Sequence, residues 1–296
     1  MIGDGATAEV REALVPLLAN PRVRFIDRPK TSSRAELVRH EVLTQATSPY
    51  VCYLGDDDIM LPNHVASTVD RLQTVDFTHP LPVFIGREGD LQAHVTDLGN
   101  LRSRLWHQRQ PFRNAVSLTG VGHRLDAYRQ LRHGWQEAPP GRWSDHYMWL
   151  QWFAHPGFRY ATGDQLTVLK FEASVRGDMA PFERRAEVEA WLHRSQKPGF
   201  EAELAAGAAA AGWRAAVDLS LALDAEADRS AHEHEARAAR EEEVRTAERR
   251  ARAELSGARA EAAVLTSQLA GIQASRVWRA RNRLVRMPGL RRLTRR

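Results

Sequence analysis

The sequence predicts an α/β fold with a mixed, mainly parallel sheet, followed by a long C-terminal helix. Short apolar runs alternate with amphipathic helical patterns over residues 1–195, which is typical of sheets flanked by helices. From about residue 200 the chain is instead dense in Ala, Glu and Arg. We therefore divide the sequence into an α/β domain (1–195), a helical or coiled-coil segment (196–272) and a basic amphipathic tail (273–296).

The α/β prediction rests on successive elements of the first domain. Residues 23–26 predict a strand. Ser33 and Glu36 have the spacing of a capping box, and they predict the start of a helix whose apolar face follows. Residues 50–54 form a continuous β-prone run, which predicts a strand covered on both faces.

The next elements continue the alternation. Pro62 predicts the start of a helix, with Val65, Val69 and Leu72 as its apolar face. Residues 83–85 predict another strand. Strand and helix alternate throughout this region, as the α/β class requires.

Composition and charge exclude several classes of protein. The 296 residues are 43% hydrophobic and 27% charged, which is typical of globular proteins. The net charge is +5, but the last 21 residues contain nine Arg and no acid, so the rest of the chain carries −4. This acidic body argues against nucleic acid as a partner.

The single cysteine, Cys52, excludes an internal disulfide framework and a zinc site built on paired cysteines. It favours a reducing, cytoplasmic setting. No apolar run approaches the roughly 18 residues of a membrane-spanning helix, and the first residues do not resemble a signal peptide. We expect a cytoplasmic protein.

Three adjacent carboxylates, Asp56, Asp57 and Asp58, directly follow the strand predicted over residues 50–54. Ligands of open α/β sheets bind at this end of the strands. Adjacent carboxylates repel unless a cation neutralises them, and their oxygens suit Mg²⁺ or Mn²⁺, which also bridge substrate phosphates. The cluster alone is equally consistent with a solvated acidic turn before a helix. A two-metal phosphoryl-transfer or nuclease site would need further carboxylates, and the sequence offers no clear set.

The residues around the cluster resemble a known family. Tyr50 to His64 resembles the strand, the DXD-type acidic motif and the following proline of the family 2 glycosyltransferases, which have the GT-A fold. The resemblance covers about residues 1–180. Within the family, this part of the sequence is similar to the spore-coat polysaccharide nucleotide-sugar transferase type. Four other segments also resemble parts of the family: its Asp-rich turn (2–7), third strand (20–25), helix with a nucleotide-contacting Arg (37–40) and base-supplying motif (142–149).

The resemblance implies roles for the donor side of a site. Asp4 would contact the uracil or ribose of a nucleotide, and Arg39 would lie near it. Asp56 would face the ribose and the metal, and Asp57 would be the main metal ligand. Asp58 would be a further ligand, although the last Asp of the family's motif often supports the loop instead. Gly55 departs from the commoner form of the motif, which has Asp at that position.

The resemblance also implies an acceptor side. Asp145 would be the base that takes the proton of the acceptor hydroxyl, although an Asp at a helix start also serves as a cap. His123 and Trp143 would lie near the acceptor. A lone His and most Trp residues in such a stretch are more often part of the core.

These implications define an expected function. The chain would transfer a sugar from a nucleotide-sugar donor to a polysaccharide or glycolipid acceptor, with Mg²⁺ or Mn²⁺ and with inversion. Family members normally have a strand, a helix and a second strand before the turn at Asp4, so we also expect an N-terminally truncated chain. The alternative is a catalytically inactive transferase that acts as a coiled-coil scaffold.

The helical segment contains seven small or apolar residues at alternating spacings of four and three, which predict the seam of a coiled coil. Such a seam would form a homodimer or recruit a partner, whereas one long solvated helix is the alternative. The seam residues are Ala251, Leu255, Ala258, Ala262, Leu265, Leu269 and Ile272.

The tail over residues 273–296 interleaves apolar residues with the nine Arg. This pattern predicts peripheral contact with an anionic membrane surface, where a lipid-linked acceptor would lie. Contact with nucleic acid or a disordered tail are the alternatives. The apolar residues are Trp278, Leu284, Val285, Met287, Leu290 and Leu293.

Overall fold

The computed structural model of the protein describes residues 1–81, 83–94, 96–109 and 112–285. Its strands are β1 (Ile2–Asp4), β2 (Ile26–Arg28), β3 (Tyr50–Cys52), β4 (Ile59–Met60), β5 (Phe77–His79), β6 (Val83–Ile85), β7 (Leu91–Ala93), β8 (Gly122–Arg124), β9 (Tyr160–Thr162) and β10 (Val168–Phe171). Its α-helices are α1 (Ala8–Leu18), α2 (Glu36–Gln45), α3 (His64–Leu72), α4 (Leu101–Gln108), α5 (Leu125–Tyr128), α6 (Ser144–Phe153), α7 (Pro181–Ser195), α8 (Phe200–Ala274) and α9 (Arg276–Val285).

The strands form three groups. β1 pairs with β2 in parallel, one four-stranded sheet has the order β4-β10-β6-β7, and the other has the order β3-β8-β5-β9. Among the described residues, three strand pairings are parallel and four are antiparallel. The predicted class is confirmed: a mixed α/β fold with flanking helices and a long C-terminal helix.

The chain divides into two compact units, Met1–Ser220 and Leu221–Arg296. The first unit therefore extends beyond the boundary predicted at residue 195. Its extension is the beginning of α8, where Phe200 and Leu204 are buried in a core cluster with Trp191.

The core beneath β3, β8 and β5 is strongly aromatic. Trp135, Trp149 and Trp152 are each almost completely buried, and all three pack in one cluster with Phe77. The Phe77 ring lies edge-on to the Trp149 ring, with 5.1 Å between centroids. Large buried aromatic surfaces of this kind dominate core energetics, so they fix the inner face of α6 against the sheet.

The start of α2 differs from the prediction. The helix begins at Glu36 and is not capped by Ser33, whose hydroxyl instead donates to Thr31 Oγ1. Ala35 stands at the N-cap in the left-handed region, with φ 59°, a conformation that non-glycine residues rarely adopt. The Glu36 carboxylate accepts a hydrogen bond from the Arg34 backbone N–H at 2.8 Å, which holds the residues just before the helix.

The buried face of α3 also differs from the prediction. His64, Thr68 and Leu72 are completely buried, whereas Val65 is half-exposed. Gly122 in β8 has no side chain, which leaves room for the Thr68 methyl, because a Cβ at position 122 would lie only 2.2 Å from it. Because α3 and β8 approach closely at Gly122, the face of α3 that carries His64 and Thr68 is the one that is buried.

The second unit consists of the helical continuation of the chain. The large apolar residues of the predicted seam are all exposed on α8. Within the ranges that the structure describes, no helix combines the length and the apolar character needed to cross a membrane. Met287, Leu290 and Leu293 of the predicted tail lie outside the described residues.

Candidate active site

The acidic loop joins β3 to β4, and Asp58 is its anchor. The Asp58 side chain is only 1% exposed. Its Oδ1 accepts a hydrogen bond from the Phe171 backbone N–H at 2.9 Å, and its Oδ2 accepts one from the Thr119 hydroxyl. Lys170 Nζ lies 3.2 Å from Oδ1 and 3.0 Å from Oδ2. Because both oxygens are already bonded to protein groups, Asp58 supports the loop and is not placed as a free metal ligand.

Gly55 packs closely against the carboxylates of this loop. Its backbone N–H donates to Thr119 Oγ1 at 2.8 Å, and the same hydroxyl donates to Asp58. A Cβ at position 55 would lie 3.0 Å from Asp58 Oδ2 and 3.2 Å from Asp57 Oδ1. The departure from the commoner Asp therefore has a steric reason: two carboxylates already occupy the space.

Asp56 and Asp57 are the carboxylates that remain accessible. Asp56 is exposed and Asp57 is partly buried. Burial raises the pKa of Asp57, and the charges of Asp58 and Asp56 add to this, whereas the charge of Lys170 opposes it. A cation at Asp57 would relieve this unfavourable environment of the charged carboxylate.

Asp145 lies in the first turn of α6. The N-cap position is Trp143, which makes no side-chain cap, and Asp145 Oδ1 accepts a hydrogen bond from the adjacent His146 N–H at 2.7 Å. Burial raises the pKa of Asp145. The His146 N–H bond and the charges of His146, Lys170 and Arg34 oppose that increase. A carboxylate with a raised pKa is better suited to accept a proton.

Two buried hydrogen bonds fix the position of α6, and therefore that of Asp145. The Trp149 indole N–H donates to the Val116 carbonyl at 3.0 Å. The His146 Nε2 lies 2.8 Å from the His107 carbonyl, to which it donates. Held in this way, the first turn of α6 cannot shift without breaking contacts in the core.

Arg39 lies on α2 and packs against an aromatic ring of the core. Its guanidinium lies over the Trp135 ring, 4.9 Å from the centroid, as in a cation–π contact. Burial lowers the pKa of Arg39, and the charges of Glu36, Tyr53, Asp145 and Asp4 oppose this. The structure thus brings Arg39 within electrostatic reach of both Asp4 and Asp145.

Asp4 is held at the end of β1. Its Oδ2 lies 2.5 Å from Lys30 Nζ, and its Oδ1 accepts the Thr31 backbone N–H at 2.7 Å. The hydrogen bond from Lys30 is the largest cause of the lowered pKa of this carboxyl. Asp4 is therefore an ordered anion beside the start of α2.

Lys170 lies at the candidate site but was not among the site residues predicted from the sequence. It lies in β10, forms the ion pair with Asp58, and acts through its charge on the pKa of both Asp57 and Asp145. It thus connects the acidic loop electrostatically with α6. A signal was present: Lys170 is one of three lysines in a chain with 39 arginines, and it interrupts the apolar run of residues 168–171.

The structure separates the two residues predicted on the acceptor side. His123 is completely buried: its Nε2 lies 2.7 Å from the Tyr53 hydroxyl, and its Nδ1 donates to the Arg124 carbonyl at 3.0 Å. This corrects its predicted place, because a side chain without accessible surface cannot touch an acceptor. Trp143 is 51% exposed next to Asp145.

A divalent cation fits only part of the predicted ligand set. Among the described residues, no group of three or more His, Cys, Asp or Glu side chains is arranged to hold a metal ion. Mg²⁺, however, usually binds through one or two carboxylates together with substrate phosphates and waters. Asp57 and Asp56 supply such a pair, whereas both oxygens of Asp58 are occupied.

An acidic loop after a strand and a partly buried carboxylate at a helix start, both subject to the charge of Lys170, form the candidate site of this α/β fold. Residues 2–133 match the family model described as Glycosyl transferase family 2. The match spans just under half of the chain, and it supports glycosyl transfer as the general class of activity. It contains Asp4, Arg39 and the acidic loop, and ends before Asp145. No curated protein matches the chain.

Proposed function

We propose that this protein transfers a sugar from a nucleotide-sugar donor to a polysaccharide or glycolipid acceptor. One observation carries the proposal: Lys170 is bonded to the acidic loop, and its charge acts on both Asp57 and Asp145. A donor-binding carboxylate and a proton-accepting carboxylate thus share one electrostatic environment. The family match over residues 2–133 supports the same class of reaction.

The donor side consists of Asp4, Arg39, Asp56 and Asp57. Asp4 keeps lone pairs free for a ribose hydroxyl or a base after it accepts from Lys30 and Thr31. Arg39 supplies a fixed positive charge for the nucleotide. Asp56 and Asp57 would hold Mg²⁺ or Mn²⁺, which would supply positive charge to stabilise the leaving diphosphate.

Asp145 acts as the general base. The acceptor hydroxyl oxygen forms a bond to the anomeric carbon while the bond from that carbon to the diphosphate oxygen breaks. The hydroxyl proton passes to the Asp145 carboxylate, and the bonding electron pair leaves with the nucleoside diphosphate. A single displacement of this kind inverts the anomeric configuration.

Trp143 supplies the acceptor side with an apolar surface. Its exposed indole lies two residues before Asp145 in the chain and packs edge-on to the His146 ring, with 6.2 Å between ring centroids. Aromatic faces of this kind suit stacking on a sugar ring. His123 has no part in the acceptor side, because its side chain is completely buried.

The basic tail provides the proposed contact with an anionic membrane. Arg276, Arg279 and Arg283 share one face of α9 by their spacing, and the strongly exposed Val277 lies on another. Replacement of these three arginines by Gln is expected to abolish co-sedimentation with phosphatidylglycerol vesicles. Replacement of Arg229, Arg249 and Arg250 on α8 is the matched control and should leave it unchanged. Equal loss in both variants would contradict a specific role for α9.

The transfer reaction is tested by the release of nucleoside diphosphate from a panel of UDP-, dTDP- and GDP-sugars. We expect Mn²⁺-dependent release from at least one donor, and loss of release in Asp57→Asn. Asp126→Asn, which changes an exposed carboxylate paired with Arg124, is the control and should retain activity. Absence of release with every donor would favour the inactive coiled-coil scaffold instead.

A further inference from the structure

The seam of α8 is an apolar surface that the described part of the chain leaves exposed. Leu255, Leu265, Leu269 and Ile272 are each 53–57% exposed. They lie in a continuous helix together with the three alanines of the seam, at heptad positions a and d. Burial of such apolar residues against a second helix stabilises both helices in water, so we expect a partner helix on the seam.

The order of large and small residues along the seam is complementary to its own reverse. From residue 255 onward the seam is Leu, Ala, Ala, Leu, Leu, Ile. Aligned antiparallel with a second copy, Ala258 and Ala262 each lie opposite a Leu, whereas Ala251 lies beyond these layers, opposite Arg276. The layers are then Leu255 with Ile272, Ala258 with Leu269, and Ala262 with Leu265, each occurring twice by symmetry.

A parallel, in-register pair would pack much less evenly. Each seam residue would face itself, so that Ala251, Ala258 and Ala262 would form Ala–Ala layers. Those layers contain two side-chain carbons, and the Leu–Leu layers beside them contain eight. The Leu–Leu layers hold the two helices too far apart for the Ala–Ala layers to make contact. The voids left at the Ala–Ala layers destabilise the pair.

Charge differs between the two orientations as well. In the parallel pair, Glu254 would face Arg259 of the partner subunit across the seam, an exposed ion pair of small value. The same pair would bring the four arginines of α9 beside four identical ones. In the antiparallel pair, α9 lies beside residues 242–251, where three acids and three arginines balance.

We infer that this protein forms an antiparallel homodimer through the seam of α8, centred between residues 263 and 264. The occupant of the exposed surface is thus a second copy of the chain. The inference does not depend on the proposed transfer reaction.

Cross-linking tests the orientation in the full-length protein. The Leu255→Cys and Ile272→Cys variants are made in a Cys52→Ser background and carry different tags. The two variants are mixed, dissociated and allowed to reassociate. The mixture is then treated with a short reagent that links two thiols. We expect the cross-link between the two variants in the mixture, and little cross-link in either variant alone. Efficient cross-linking of each variant to itself would overturn the inference, because it requires parallel chains. Absence of every cross-link from a monomeric protein would overturn it too.

A second pair of variants tests the seam itself by light scattering after size-exclusion chromatography. Leu265→Asp places a charge in the Ala262 layer, and we expect it to raise the dimer dissociation constant at least tenfold. Ala260→Asp places the same charge on the outer face of α8 and should leave the dimer unchanged. Equal dimerisation of both variants would refute the role of the seam, and circular dichroism checks that α8 stays helical.

Discussion

Lys170 Nζ donates hydrogen bonds to both carboxylate oxygens of Asp58, at 3.2 Å to Oδ1 and 3.0 Å to Oδ2. The pair joins β10 to the acidic loop across 112 residues of sequence. Lys170 is 19% exposed and Asp58 is 1% exposed, so the pair is largely shielded from water. Its geometry determines where Asp56 and Asp57 stand.

Removal of Lys170 should destabilise the fold. In Lys170→Met, the Asp58 carboxylate keeps Thr119 and Phe171 as donors but loses its countercharge. An uncompensated buried charge costs about 3 kcal/mol of unfolding free energy. Urea denaturation measures this loss. The double variant Lys170→Met/Asp58→Asn should recover most of it, and Lys197→Met, at an exposed site, should cost little. A loss below about 1 kcal/mol in Lys170→Met would contradict a structural role for the pair.

Gly55→Ala should impair donor binding more than stability. The new Cβ would press on Asp58 Oδ2 and Asp57 Oδ1, at 3.0 and 3.2 Å, and turn both carboxylates away from their positions. We expect at least a tenfold weaker Mn²⁺-dependent affinity for nucleoside diphosphate. Gly177→Ala is the control, since a Cβ there meets nothing within 4 Å. Wild-type affinity in Gly55→Ala would show that the acidic loop does not hold the donor.

Asp145→Asn should lower kcat by about 10²- to 10⁴-fold with little change in donor affinity, because the amide cannot accept the proton. Burial raises the pKa of Asp145 above 3.8, and the reaction needs the carboxylate form. The wild-type kcat should therefore fall as the pH decreases through that raised pKa. Steady-state kinetics over pH measure both effects. Near wild-type turnover in the variant would rule out Asp145 as the base.

Four of the five buried histidines of the described residues have strongly lowered pKa values, and they should make the protein sensitive to acid. Burial lowers the pKa of His64, His107 and His123 to about 4 and that of His79 to about 3. The unfolded chain takes up protons near pH 6.5, whereas the folded chain does not. Stability is thus present above pH 6.5 and lost as the pH falls from 6.5 towards 4, by about 1.4 kcal/mol per pH unit for each histidine.

Urea denaturation at pH 7.5, 6 and 5 measures this slope. His64→Gln should reduce the slope by about one proton, because Gln does not titrate. The variant should still fold, because the amide can bond the Thr167 hydroxyl that lies 2.8 Å from His64 Nδ1 in the wild-type protein. His133→Gln, at an exposed position, is the control and should leave the slope unchanged. Stability that does not vary between pH 7.5 and 5 would contradict the burial of neutral histidines.

The sequence predicted those features that depend on local pattern. The strand at residues 83–85 coincides with β6, and the acidic cluster follows β3 as predicted. The long C-terminal helix was clear from composition. Each of these follows from residue types that are neighbours in the chain.

Features that depend on distant contacts could not be predicted. The buried face of α3 is polar because Gly122, some 50 residues away, admits Thr68, and because Thr167 bonds His64. The ion pair that holds Asp58 depends on Lys170, which no local pattern connects with it. The burial of His123 follows from its bond to Tyr53 across the sheet. The proposed donor and acceptor roles remain predictions.

Calorimetric titration with UDP, dTDP and GDP, with and without Mn²⁺, tests the central claim that the acidic loop holds a nucleotide-sugar donor. We predict that at least one nucleotide binds the wild-type protein only with Mn²⁺, that Asp57→Ala abolishes this binding, and that the exposed control Asp126→Ala retains it. Failure of all three nucleotides to bind the folded protein, or equal binding by Asp57→Ala, would contradict the claim.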